Sequence, residues 1–173
     1  MKFSNEQIKE MADMLNSEHH VCYANPDTGE VEIMLDDEML DNYGISWEDD
    51  EEEEEENLEE ESTPNWQDEL HDDVKAQMER INSWERTIRI EKPESHEAFR
   101  FMERFIEDVV PEGKLKVQFW KALSRSHPFR NFNAIVHECE YRKDWFAFRQ
   151  EALEEYVRRE LGVLPDEEEN NNI

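Results

Sequence analysis

Residues 48–61 contain ten Glu, two Asp, one Asn and one Leu, with an unbroken run from Glu51 to Glu56. A block with a single apolar side chain cannot offset the entropy lost on ordering it, and its charges repel one another. Any fold this chain adopts must therefore be built on either side of that block. Residues 48–62 are expected to be a disordered acidic insertion.

The remaining charge is divided in the same way. Residues 36–61 hold sixteen carboxylates and no Lys or Arg, whereas residues 87–161 hold 14 basic and 14 acidic groups and most of the aromatics. With nine Phe, five Trp and four Tyr, the chain is too aromatic to be a wholly disordered acidic polymer. Its 173 residues suit a single domain. The organisation expected is an N-terminal helix and hairpin over 1–47, the insertion, a helix, strand and helical core of the same domain over 63–162, and an acidic tail over 163–173.

Hydrophobic patterning gives the elements. Ser4 followed by Gln7 has capping-box spacing, and Ile8, Met11, Ala12 and Leu15 fall on one face of a helix over 4–16. Alternating runs with Val21 and Tyr23, then Val31, Ile33 and Leu35, flank Asn25-Pro26-Asp27-Thr28-Gly29. Pro presets φ early in that turn and Gly admits positive φ late, so a β-hairpin is expected over 19–35. Trp66, Leu70, Val74, Met78 and Ile81 recur at helical spacing after Thr63-Pro64. Arg86 to Glu91 alternates with Ile88 and Ile90 on one side, and this third strand needs the hairpin as its hydrogen-bonding partner.

After Pro93 four apolar stripes follow. The first is Ala98, Phe99, Met102, Phe105, Ile106 and Val109; the second is Leu115, Phe119, Ala122 and Leu123. Phe129, Phe132, Val136 and Cys139 mark a third helix, and Trp145 to Leu161 a fourth, stopped at Gly162. Phe129, Phe132 and Trp145 are expected to be buried. The fold class is α+β: a small antiparallel sheet, made of the hairpin plus one later strand, with a C-terminal group of about four helices.

Several segments, taken in order, are similar to a bacterial family known as uncharacterised protein family 0158. Tyr23 to Val31 (YANPDTGEV) resembles its "YLD…TGEV" hairpin. Ile90 to Ile106 (IEKPESHEAFRFMERFI) resembles its "I-x-x-P-x-S-x-E-A-F-x-x-M-x-x-F-I" segment. Ala122-Leu123, Pro128-Phe129-Arg130-Asn131-Phe132 and Trp145-Phe146-Ala147-Phe148 resemble its "AL…PF-R-x-F…WF-x-F" ending. The likeness runs from about residue 19 to 162, with the long acidic run as a departure. It implies a shared fold and no enzyme class.

The residues exclude several chemistries. There is no P-loop, dinucleotide fingerprint, GxSxG elbow, HExxH or EF-hand loop, and four glycines leave no phosphate-cradling loop, so no cofactor is expected. Cys22 and Cys139 lack zinc-ligand spacing and are expected to be small buried hydrophobes. His19-His20 precede a strand, where neighbouring side chains diverge and cannot easily share a metal, so no metal site is expected. No apolar segment follows Met1 and none reaches the ~18 residues of a membrane span, so a cytoplasmic protein is expected. A formal net charge of −28 disfavours nucleic acid and anionic lipid as partners.

Two functional readings follow. The acidic insertion could mimic a polyanion and engage a basic protein, giving a non-enzymatic interaction module. The other reading is an enzyme or small-anion binder around His127, Arg130 and Arg149, the first able to exchange protons near neutral pH. Against it, each guanidinium of the Arg130, Arg142, Lys143, Arg149, Arg158 and Arg159 set could simply pair with a carboxylate such as Glu97 or stack on a ring.

Overall fold

The computed structural model describes residues 2–45 and 65–163, so the acidic insertion and the tail beyond Val163 lie outside the described residues. Helix α1 (Asn5–Leu15) begins on the expected capping box, Ser4 Oγ accepting from the Gln7 N–H while Gln7 Oε1 accepts from the Ser4 N–H. Strands β1 (His20–Ala24) and β2 (Val31–Leu35) form the expected antiparallel hairpin. Helix α2 (Asp37–Asn42) was not expected; Asp36 caps it by accepting from the Met39 N–H, and it buries only Leu40. Then come α3 (Asn65–Asn82), β3 (Ile88–Ile90), α4 (Ser95–Asp108), α5 (Lys114–Leu123), α6 (Pro128–Glu138) and α7 (Arg142–Leu161). The strand order is β2-β1-β3, all antiparallel, with Cys22 opposite both Ile33 and Ile90. This is the α+β architecture expected.

The sheet is covered on both faces. Cys22, Ala24 and Ile90 point into the main core with α1 and the C-terminal helices. Val21 and Met34, paired across the hairpin, point the other way into a second cluster with Leu40, Val74 and Ile81. Val21 and Ile33 therefore face opposite cores, because α3 returns across the far side and buries what would otherwise be a solvated face. Helix α1 packs along α7, its Ile8, Met11, Ala12 and Leu15 sharing the main cluster with Ala152, Leu153, Val157 and Leu161.

In the main core Phe132 is 0% and Trp145 5% exposed, as expected. Phe129 differs. It is 38% exposed, with one aromatic neighbour, the edge of Phe99 at 6.4 Å. Pro128 starts α6 at the preceding residue, so Phe129 sits at the rim of the core although it continues the Phe132–Val136 stripe. Gly162 ends α7 at φ 67°, as its position implied.

The two thiols are free. Burial, with Glu10 nearby, pushes the Cys22 thiol from 9.0 up to about 12. Its folded value lies above the ordinary one, so burying it favours the fold fully below pH 9.0, and this contribution is lost as pH rises toward about 12. Cys139 is only half-buried and donates to the Val136 carbonyl at 3.6 Å. A thiol reagent near neutral pH should label Cys139 well before Cys22, with the labelled peptide identified by mass spectrometry. Equal rates would mean that β1 opens readily.

Candidate functional site

The largest cleft described, about 810 Å³, lies where three separated pieces of chain meet. They are the start of β1 with the residues before it (Glu18, His20, Val21), the first turn of α2 (Asp36, Asp37, Glu38), and the path from β3 into α4 (Arg89 to His96). The sheet brings them together: β1 is the central strand, α2 follows β2 directly, and β3 joins the opposite edge.

Six carboxylates line this cleft against two cations, Arg89 and Lys92. Arg89 is already neutralised, with Nη2 3.0 Å from Asp37 and 2.9 Å from Glu91, and its guanidinium lies over the Tyr23 ring at 5.8 Å. The hydrogen bond to Asp37 holds the Arg89 pKa above its usual range, while burial pushes the Tyr23 phenol up. The cleft thus presents net negative charge to whatever enters. Its chemistry is electrostatic; the two lining histidines have separate partners. His20 Nδ1 contacts Ser17 Oγ, and His96 Nδ1 lies 3.2 Å from Glu94. His19 lies 3.4 Å from Asp36, without hydrogen-bond geometry at Nδ1. Among the described residues no group of three or more His, Cys, Asp and Glu is placed to hold a metal ion.

The residues singled out from sequence sit elsewhere. His127 is the residue before α6, exposed and in the left-handed region at φ 58°, a conformation non-glycine residues adopt at some cost. Arg130 follows in the first turn of the same helix, also exposed. Arg149 belongs to α7, on the inward stripe one turn from buried Trp145 and one turn from buried Leu153. Desolvation lowers its pKa, and its guanidinium has no ion-pair or hydrogen-bond partner among the described residues. His127 and Arg130 are thus on one helix turn, and none of the clefts described here joins Arg149 to them.

The pairing and stacking alternative holds for three of the other cations. Arg159 lies 2.6 Å from Glu97 and stacks on Tyr156 at 5.1 Å. Arg142 stacks on Phe146 at 5.7 Å, and Arg158 lies 3.9 Å from Glu154. Sequence reasoning missed the cleft because no local run encodes it. The one available signal was that Asp36-Asp37-Glu38 follows a strand directly.

Among the described residues no helix is long and apolar enough to cross a membrane. No curated protein and no solved structure matches the chain. A family model described as Uncharacterised protein family (UPF0158) matches residues 61–162, from before α3 to the glycine that stops α7. The hairpin likeness at Tyr23 to Val31 lies outside those residues, but the likenesses at Ile90–Ile106, Ala122–Phe132 and Trp145–Phe148 lie within them. With more than half of its length matched, the chain belongs to the uncharacterised protein family UPF0158.

Proposed function

We propose that this chain is a non-enzymatic interaction module that captures a basic segment of a partner protein on its acidic side. The observation that carries this reading is the net negative cleft, whose own arginine is already paired to Asp37 and Glu91. The α2 lip of that cleft leads in sequence straight toward residues 48–61, so the same side of the chain order continues into twelve further carboxylates. A Lys-rich segment would meet complementary charge throughout, which raises association rate and selectivity for basic partners.

The test is fluorescence anisotropy with a fluorescein-labelled peptide of alternating Lys and Leu. Binding should weaken steeply as salt rises, because exposed charges are screened beyond about 8 Å at physiological ionic strength. Deleting residues 48–61, or reversing Asp37 and Glu38 to Lys, should each weaken it, while Arg130→Ala should leave it unchanged. Salt-insensitive binding, or none, would remove the reading.

One observation favours the alternative of a small-anion site: the unpartnered Arg149, whose charge an anion would compensate. That reading requires the opposite pattern. Phosphate should then raise the thermal midpoint, Arg149→Ala should abolish the rise, and Arg149→Lys should impair it, since an ammonium lacks the guanidinium fork.

A further inference from the structure

From Gly113 to His137 the chain carries Lys114, Lys116, Lys121, Arg125 and Arg130 and no Asp or Glu, in a sequence with 47 acidic and 19 basic residues. This stretch is α5, α6 and the turn between them. Elsewhere many arginines are neutralised: Arg80 by Glu32, Arg86 by Asp27, Arg104 by Glu155. Lys116 is neutralised as well, its buried ammonium 3.2 Å from Glu107 and 2.9 Å from Glu112. The side chains of Lys114, Lys121, Arg125 and Arg130 have no ion-pair or hydrogen-bond partner among the described residues.

Two of these cations line a groove of about 380 Å³ between α5 and α6. Lys121 lies in the last turn of α5 and Arg125 in the connection to α6, and Ala122, Ala134 and Ile135 supply apolar lining. The Asn131 amide donates to the Ser126 carbonyl at 2.8 Å, which fixes the turn at the end of the groove. Val117, one turn before Lys121, adds a 52% exposed apolar side chain to the same side of α5.

We propose that the α5–α6 groove docks an acidic peptide segment of a partner protein. Carboxylates of that segment pair with Lys121 and Arg125, and an apolar side chain between them rests against Ala122, Ala134 and Ile135. The groove lining contains no aromatic ring on which a base could stack, and the chain's overall charge repels a long polyanion, so a short peptide fits better than nucleic acid. The surface is separate from the acidic cleft, and either can fail without the other.

The experiment titrates the full chain into a fluorescein-labelled peptide of alternating Glu and Leu, with a labelled single-stranded poly(U) RNA alongside. Saturable binding of the Glu–Leu peptide is expected, and Lys121→Glu combined with Arg125→Glu should weaken it by about tenfold or more. Lys75→Glu, an exposed change on α3 away from the groove, should leave it within about twofold, which gives the effect of a single charge reversal at a distance. All of these side chains are exposed, and far-UV circular dichroism checks that each variant is folded. Absence of saturable binding, or an equal loss with Lys75→Glu, overturns the proposal. So does RNA binding that is tighter than the peptide's and lost with the same double reversal. If the peptide binds only a chain lacking residues 48–61, the occupant is the chain's own acidic run and the partner assignment falls.

Discussion

Phe105→Ala is expected to destabilise the chain by about 3–5 kcal/mol, the range for deleting a buried aromatic from a core that cannot fully collapse. Phe105 is 0% exposed and is the ring on which the C-terminal helices converge. Its centroid lies 6.2 Å from Phe119 on α5, 6.1 Å from Phe132 on α6, and 5.1 and 5.7 Å from Trp145 and Phe148 on α7. All four meet it in edge-to-face fashion, an arrangement worth roughly 0.5–1.5 kcal/mol per pair beyond area burial. The void left by alanine would be walled by rigid rings on three different helices, which limits relaxation. Against the roughly 5–15 kcal/mol of a whole domain, such a loss takes a large share. Phe129→Ala supplies the contrast: half-exposed and touching one ring, it should cost about 1 kcal/mol, near the centre of the distribution for point mutants. Urea denaturation of both variants makes the comparison. Equal costs would mean that the four helices are not held together at Phe105.

The same pair of residues shows what the sequence could and could not reveal. Phe129 and Phe132 stand on one helical stripe, and periodicity alone treats them alike. Only the start of α6 at Pro128 decides that Phe129 hangs at the rim while Phe132 reaches the ring cluster. Strong local chemistry was legible: the Ser4–Gln7 box, the Asn25–Gly29 turn and the Ile88–Ile90 strand all stand where their side chains put them. Helix α2 was not, because six residues with one buried leucine show no period and depend on the Asp36 cap and the packing of Leu40. The second face of the sheet was hidden for a related reason, since its cover comes from α3, across a gap of acidic sequence.

For the site, the limit was topological. His127 attracts notice for its proton chemistry, and Arg130 and Arg149 because they stand beside aromatics in the chain, but the acidic cleft is assembled from residues 18–21, 36–38 and 89–96. No motif search joins those numbers; the central position of β1 does. Arg149 is the instructive intermediate. Its place one turn from Trp145 and one turn from Leu153 can be read from the sequence, whereas its lack of a carboxylate partner depends on where the neighbouring helices put their charges.

Gly29→Ala should cost about 3 kcal/mol or more, a large effect for adding one methyl group in a hairpin turn, and it arises because Gly29 is buried under the N-terminal segment. Gly29 has φ +82°, where an L-residue loses ~1–2 kcal/mol. A Cβ there would also stand 2.1 Å from the backbone carbonyl oxygen of Lys2, a separation no real contact allows. The obstacle is main chain, so no side-chain rotation relieves it. Either the turn or the N-terminal segment must move. That segment is anchored by Phe3, only 3% exposed, and by Gln7, whose amide donates to the Gly29 carbonyl at 3.0 Å. Displacing Phe3 gives up part of the ~1.5–3 kcal/mol that burying such a side chain contributes. Gly44 isolates the two effects: its φ is +73°, but nothing among the described residues lies within reach of an added Cβ, so Gly44→Ala should show the conformational cost alone. A variant lacking residues 1 and 2 removes the offending carbonyl, and Gly29→Ala in that background should fall toward the Gly44→Ala value. The difference between backgrounds measures the coupling between turn and N-terminus. Identical costs for Gly29→Ala in both would show that the clash is relieved without disturbing Phe3.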